Sequence, residues 1–203
     1  NAELQARDVT MITADHPDMD WDDAYAIQDE LKRRKEARGN RTVGLKAGLA
    51  SFAKMKQMGV ETPVFGFVSD YMARPDGGEI KLSELIHPKV EAEICVVTKA
   101  PLKGPGCNVA AVMAATDFVL PAVEIIDSRY RDFKFDLKSV IADNTSSSRF
   151  VIGGRSRDLG DLDLRTLGVV LEINGEVQSM AAGAAVLGNP LAAVAMMANH
   201  LGQ

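Results

Sequence analysis

His87-Pro88-Lys89-Val90-Glu91-Ala92-Glu93-Ile94-Cys95-Val96-Val97 is the stretch on which the reading of this chain turns. Residues 90–97 have the β-branched content of a strand. Strand side chains alternate between faces, so Glu91 and Glu93 point one way and Val90, Ala92, Ile94 and Val96 the other. Cys95 and Val97 continue the glutamate face and turn it apolar. Two readings fit. The strand is half exposed with solvated glutamates, or it sets two carboxylates side by side as ligands.

A second segment bears on that choice. In Val119-Leu120-Pro121-Ala122-Val123-Glu124-Ile125-Ile126 a single carboxylate sits inside an apolar run. A buried carboxylate needs a cation, a metal or a proton. Arg129 or Arg131 could answer that need. Alternatively Glu124 joins Glu91 and Glu93 in an all-oxygen site for a hard cation such as Mg²⁺, which leaves positions open for water or substrate. Histidine is confined to His16, His87 and His200, which argues against zinc. Lys46, in Val43-Gly44-Leu45-Lys46-Ala47-Gly48-Leu49, is the third candidate: it either snorkels out of an apolar strand or serves an anionic substrate. The hydroxyl-rich run Asn144-Thr145-Ser146-Ser147-Ser148 is an ordinary loop or a carboxylate-binding one.

Around these segments the pattern predicts helices over residues 20–35, over one to two turns capped by Ser51 and ended by Gly59, over residues 108–116, and from Pro190 with Asn189 as its cap. Strands are predicted over residues 42–47, 64–68, 90–97, 118–126 and 150–152. A hairpin is predicted from residues 169–173 and 176–179 around Asn174-Gly175. Helices gather at the ends and strands fill the middle, which is an α+β arrangement. An N-terminal helical segment over residues 1–41 and a catalytic core over residues 42–203 are expected.

Composition narrows the function. The chain has 203 residues, 46% hydrophobic and 25% charged, as in an ordinary globular domain. A net charge of -5 argues against nucleic acid and anionic membranes as partners. The basic run Lys32, Arg33, Arg34, Lys35, Arg38 and Arg41 reads as a solvated helix face. The uncharged residues 181–199 are broken by Asn189-Pro190 and read as a strand end, a turn and a core helix rather than a membrane span. Two cysteines, Cys95 and Cys107, form no disulfide framework, which fits a cytoplasmic location.

Taken in order, these pieces resemble the 4-oxalocrotonate decarboxylase branch of the fumarylacetoacetate hydrolase superfamily. Val43 to Ser51 is similar to the family's K-x-G-L-T-S segment, with Ala50 in place of its Thr. Lys54-Met55-Lys56-Gln57-Met58-Gly59-Val60 and Pro63-Val64-Phe65-Gly66 follow, then the paired-glutamate strand, the Glu124 strand and the loop of residues 143–147. The match runs over residues 17–201. Family members extend at both ends, and their C-terminal strands have no counterpart in this sequence.

The resemblance implies a mixed β-sheet roll with flanking helices, and Mg²⁺ (or Mn²⁺) held by Glu91, Glu93 and Glu124. It implies Lys46 as the catalytic group and Leu49, Ser51, Val64 and Ser146 as substrate contacts. The expected reaction is decarboxylation of 2-oxo-3-hexenedioate, a small 2-oxo dicarboxylic acid, in aromatic meta-cleavage catabolism. A homo-oligomer and a complex with the pathway hydratase are also implied. Three alternatives stay open: a 2-hydroxypenta-2,4-dienoate hydratase, an acylpyruvate-type hydrolase with His16 as the candidate base, and a non-catalytic subunit or fragment that stabilises a partner. Hydratases of this superfamily tend to carry Pro-Asp-Phe-Gly where this chain has Val64, so an apolar residue there favours the decarboxylase, unless Val64 is simply a core residue.

Overall fold

The computed structural model describes residues 2–202, and the side chain of residue 161 is not described. The chain divides into two compact units. The first is Asn1–Gly48, Val64–Glu91 and Val123–Val151; the second is Leu49–Pro63, Ala92–Ala122 and Ile152–Gln203. The elements are α1 (Ala2–Gln5), α2 (Ile12–Asp15), α3 (Trp21–Glu36), β1 (Thr42–Gly48), α4 (Phe52–Met58), β2 (Val64–Ser69), β3 (Ala73–Arg74) and β4 (Pro88–Thr98), followed by α5 (Val109–Ala115), β5 (Thr116–Asp127), α6 (Leu137–Ala142), β6 (Ser147–Ile152), β7 (Gly168–Ile173), β8 (Glu176–Ala182) and α7 (Pro190–Leu201). This is the α+β class read from the pattern.

Among the described residues the strands form a four-stranded sheet in the order β3-β6-β5-β4 and two two-stranded ribbons, β1-β2 and β7-β8. Pairing is antiparallel in both ribbons and parallel between β3 and β6, so the strands are mixed in direction.

In the first unit, Asp20 caps α3 by accepting from Asp23 N, and the Asp23 side chain returns the bond. Gln28 lies on the buried side of α3. Its Nε2 donates to Phe65 O at 2.9 Å and to Ile141 O at 2.8 Å, which ties α3 to β2 and α6. The basic run is not wholly solvated. Lys35 is buried, and its Nζ donates to Glu3 Oε2 and to the Tyr71 hydroxyl, both at 2.5 Å. A lysine in a charge run still seeks a buried partner when its helix turns that face inward.

The second unit has its own core of Val112, Val119, Leu164, Leu191 and Ala195, against which Ile94 and Val96 of β4 pack. The apolar face expected for residues 90–97 is therefore real at Ile94 and Val96. It fails at Val90, which is exposed. The predicted hairpin is present, with Asn174 at φ 56° and Gly175 at φ 81°, the two left-handed residues that a type I′ turn requires. Strand β6 begins at Ser147, three residues before the expected start, and α6 had no counterpart in the sequence reading. No helix among the described residues is long and apolar enough to cross a membrane.

Candidate metal centre

Glu124 sits near the end of β5 and is buried. Of the cations that could answer it, the structure uses neither arginine. Arg129 Nε donates to Asp143 Oδ1 at 2.6 Å, and Arg131 Nε is 3.9 Å from Asp8. Lys46 fills the role instead: its Nζ lies 3.2 Å from Glu124 Oε2, and both side chains are nearly inaccessible. The same amine donates to Thr145 O at 3.2 Å. Lys46 therefore does not snorkel. An ammonium carries three donors, and these two acceptors engage two of them.

Around Glu124 the other two carboxylates gather. Glu91 and Glu93 on β4 and Glu124 on β5 each bring one oxygen within 4.8 Å of the others. Octahedral Mg²⁺ with Mg–O near ~2.1 Å puts adjacent ligands about 3 Å apart and opposite ones about 4.2 Å apart, so side-chain rotation would have to draw the three oxygens closer to complete the set. Electrostatics point the same way. Burial pushes the Glu124 carboxyl above the usual carboxylate range; Lys46 opposes that, and the like charge of Glu91 adds to it. Lys46 alone does not neutralise the cluster, and a hard cation fits the donor set. Glu91 is exposed, so one side of the cluster is open to solvent.

The roof of this site is the loop of residues 144–146, and its backbone is unusual. Asn144, Thr145 and Ser146 have φ of 52°, 52° and 59°, three successive non-glycine residues in the left-handed region. Each costs about 1–3 kcal/mol, and such strain collects at functional sites. The Asn144 side chain fixes the loop to β2: its Oδ1 accepts from Phe67 N at 2.8 Å and its Nδ2 donates to Phe67 O at 2.9 Å. Gly66 is required beneath it, since a Cβ there would fall 2.5 Å from Thr145 Oγ1 and 2.8 Å from Asn144 Oδ1. Thr145 Oγ1 and Ser146 Oγ are buried without a hydrogen-bond partner. A buried hydroxyl without a partner is unusual and calls for an explanation. Ser147 Oγ donates to Glu124 Oε1 at 3.4 Å.

Val64 is buried, and it belongs to the same neighbourhood. A Cβ on Gly48 would meet Val64 Cγ2 at 3.2 Å, Lys46 Nζ at 3.6 Å and Thr145 Cβ at 3.8 Å. The first unit thus brings together Lys46, Val64, Ser146, Glu91 and Glu124. Leu49 and Ser51 belong to the second unit; Ser51 caps α4 by accepting from Lys54 N, and Leu49 has φ 55°. His16 is exposed at the end of α2. Sequence reasoning missed Asn144 as an anchor, Gly66 as a clearance and Thr145 as a second orphaned hydroxyl.

No protein-family model matches the chain. A 4-oxalocrotonate decarboxylase of Pseudomonas putida is 64% identical over 203 residues, which is 100% of this chain and 77% of the relative. A 2-hydroxypent-2,4-dienoate hydratase of Pseudomonas putida is 40% identical over 202 residues, 99% of this chain and 91% of the relative. Among solved structures, the 4-oxalocrotonate decarboxylase from Pseudomonas putida G7, complexed with magnesium and adipate, superposes with a TM-score of 0.97 at 63% identity, over 99% of this chain and 76% of that one. A protein from Yersinia pestis CO92 assigned to the fumarylacetoacetate hydrolase family shares the fold, with a TM-score of 0.55 at 15% identity over 76% of this chain and 72% of that one.

The buried pair yields a prediction for Lys46→Met in cation-free protein. Without the amine, the folded-state pKa of Glu124 rises further above its unfolded value of 4.5. The folded state then holds its proton to higher pH than the unfolded chain does, so the variant loses stability as pH rises through that window. Urea unfolding at about pH 5 and about pH 8 should show a deficit against the parent that grows with pH. A deficit that is constant or shrinks would place the charge of Lys46 elsewhere.

Proposed function

We propose a function from one premise: the chain belongs to the 4-oxalocrotonate decarboxylase family, whose fold is that of the fumarylacetoacetate hydrolases. It is a Mg²⁺-dependent carbon–carbon lyase that decarboxylates 2-oxo-3-hexenedioate to 2-hydroxypenta-2,4-dienoate. The observation that carries this reading is the convergence of Glu91, Glu93 and Glu124 beside the buried amine of Lys46. In this reading the three glutamates hold the metal and the residues of the first unit handle the acid.

The substrate is its own electron sink. When the bond to the far carboxylate breaks, its electron pair forms a new double bond, the existing double bond shifts towards the ketone, and the ketone oxygen takes the charge and then a proton. Bound Mg²⁺ supplies a Lewis acid that stabilises charge on such an oxygen. The chain's own groups do the rest. Lys46, held by Glu124 and Thr145 O, presents its remaining N–H to an anionic group and keeps a proton at Nζ. Ser146 Oγ, buried and otherwise unsatisfied, donates to a carboxylate. Val64 gives an apolar wall, which strips water from a departing carboxylate and favours loss of CO₂. The family resemblance adds Leu49 and Ser51 to the substrate contacts.

A hydratase is the second reading, because relatives at 40% identity carry that name. Hydration needs a placed and polarised water, and Val64 offers no help with that. Turnover of 2-oxo-3-hexenedioate with and without Mg²⁺ decides. CO₂ release that depends on Mg²⁺ and falls about 100-fold or more in Glu124→Gln is expected. Hydration of 2-hydroxypenta-2,4-dienoate with no CO₂ from the dicarboxylic acid would establish the hydratase.

The enzyme works in the cytoplasm, consistent with its free cysteines, and acts as a homo-oligomer that also joins the pathway hydratase. Exposed Phe52, Val170, Val177 and Met180 support association. Sedimentation should show a species larger than one chain at micromolar concentration; a fully active monomer would contradict this.

A further inference from the structure

The left-handed run at residues 144–146 is closed by two backbone bonds, Ser146 N to Asp143 O at 3.2 Å and Ser147 N to Asn144 O. Its own side-chain anchor, Asn144, ties only its first residue to β2. Both ends of the run are gripped by one other side chain. Arg129 is buried just past the end of β5, and its guanidinium makes four bonds. Nε donates to Asp143 Oδ1 at 2.6 Å, and one terminal nitrogen donates to Asp143 O. The other terminal nitrogen donates to Ser147 O at 2.9 Å and to Asp127 O at 2.6 Å. Asp143 is the residue before the run and Ser147 the residue after it. Arg129 N completes the set by donating to Asp143 Oδ2 at 3.2 Å.

A planar fork that binds the residues on either side of a three-residue arch sets the span of that arch. Its third tie, to Asp127 O, references the arch to β5, the strand that carries Glu124. Asp127 in turn accepts from Ile86 N at 2.9 Å and His87 N at 2.5 Å, which fixes the approach to β4. The arch presents Thr145 O to Lys46 and leaves the hydroxyls of Thr145 and Ser146 unpartnered.

We propose that Arg129 is the positioning residue of the acid-binding half of the site: it holds the arch so that Lys46 and Ser146 face a carboxylate, while the glutamates are carried by β4 and β5 and meet the arch through the bond from Ser147 Oγ to Glu124 and through Lys46, which spans Glu124 and Thr145 O. This rests on the functional reading above. The role differs from general structural support, because it predicts that acid binding and metal binding separate when the fork is lost.

The test uses the full chain as parent, Arg129→Lys, and Asp143→Asn. Lysine keeps the charge but cannot bridge both ends of the arch. Asparagine keeps one oxygen for Nε but loses the charge and the acceptor for Arg129 N, so it loosens the fork and carries the test if the lysine variant does not fold. Affinity for Mg²⁺ alone, and for adipate with Mg²⁺ saturating, is measured by calorimetry. Amide hydrogen exchange at residues 144–147 is followed by NMR without ligand. Adipate affinity should fall about tenfold or more, with Mg²⁺ affinity within about twofold of the parent. Exchange should accelerate in the arch before it does in β4 and β5. In turnover, KM should rise by more than kcat falls. Unchanged exchange and unchanged adipate affinity would overturn the proposal. So would a parallel loss of Mg²⁺ and adipate affinity, or failure of both variants to fold, since either makes Arg129 a general structural residue. A parent that binds neither probe would refute the functional reading instead, and the exchange measurement would still judge the clamp.

Discussion

A carboxylate buried at the end of β5 is the constraint around which the first unit is organised. Glu124 cannot be left charged and alone in that setting. Lys46 reaches it from β1 and sets its amine 3.2 Å from the carboxylate. The pair does not stand alone: Glu91 and Glu93 on the neighbouring strand each bring a carboxylate oxygen within 4.8 Å of Glu124, which is the donor set the proposed cation would use.

The opposite side of Lys46 is built by contrary means. Where the strands supply charge through regular geometry, the arch over Lys46 supplies a carbonyl and two hydroxyls through backbone strain. That strain is sustained by buried polar bonds, Asn144 into β2 and Arg129 at both ends, and by Gly66, which leaves the space below clear. In the proposed function the two halves do different work for a 2-oxo dicarboxylic acid. Chelation of the oxo acid end asks for a metal and little else. Orientation of the carboxylates asks for donors fixed in place and for an apolar surface such as Val64.

Much of this was legible in the sequence, for identifiable reasons. Glu91 and Glu93 stood out because a period of two puts both on one face. Glu124 and Lys46 stood out because a single charge in an apolar run demands an explanation. Their partnership was not legible: Arg129 and Arg131 were the nearer cations in the chain, and Lys46 and Glu124, 78 positions apart in sequence, pair only once β1 and β5 meet in space. The arch was visible as a polar run but not as an arch. Its left-handed backbone depends on Phe67, Gly66 and Arg129, none of which is adjacent to it in sequence. Helix α6 was missed because six residues are too few to show a helical period. The buried place of Lys35 was missed because its partners, Glu3 and Tyr71, lie far along the chain on either side.

One cation shared by three carboxylates is the centre of the proposed site, and anomalous diffraction from crystals of this chain soaked in Mn²⁺ tests it directly. Mn²⁺ accepts the same oxygen donors as Mg²⁺ and can be located by its anomalous signal. A single strong peak bonded to Glu91, Glu93 and Glu124, with Lys46 still on Glu124, is the predicted result. A peak elsewhere, or none at these carboxylates while the protein remains folded, would contradict it.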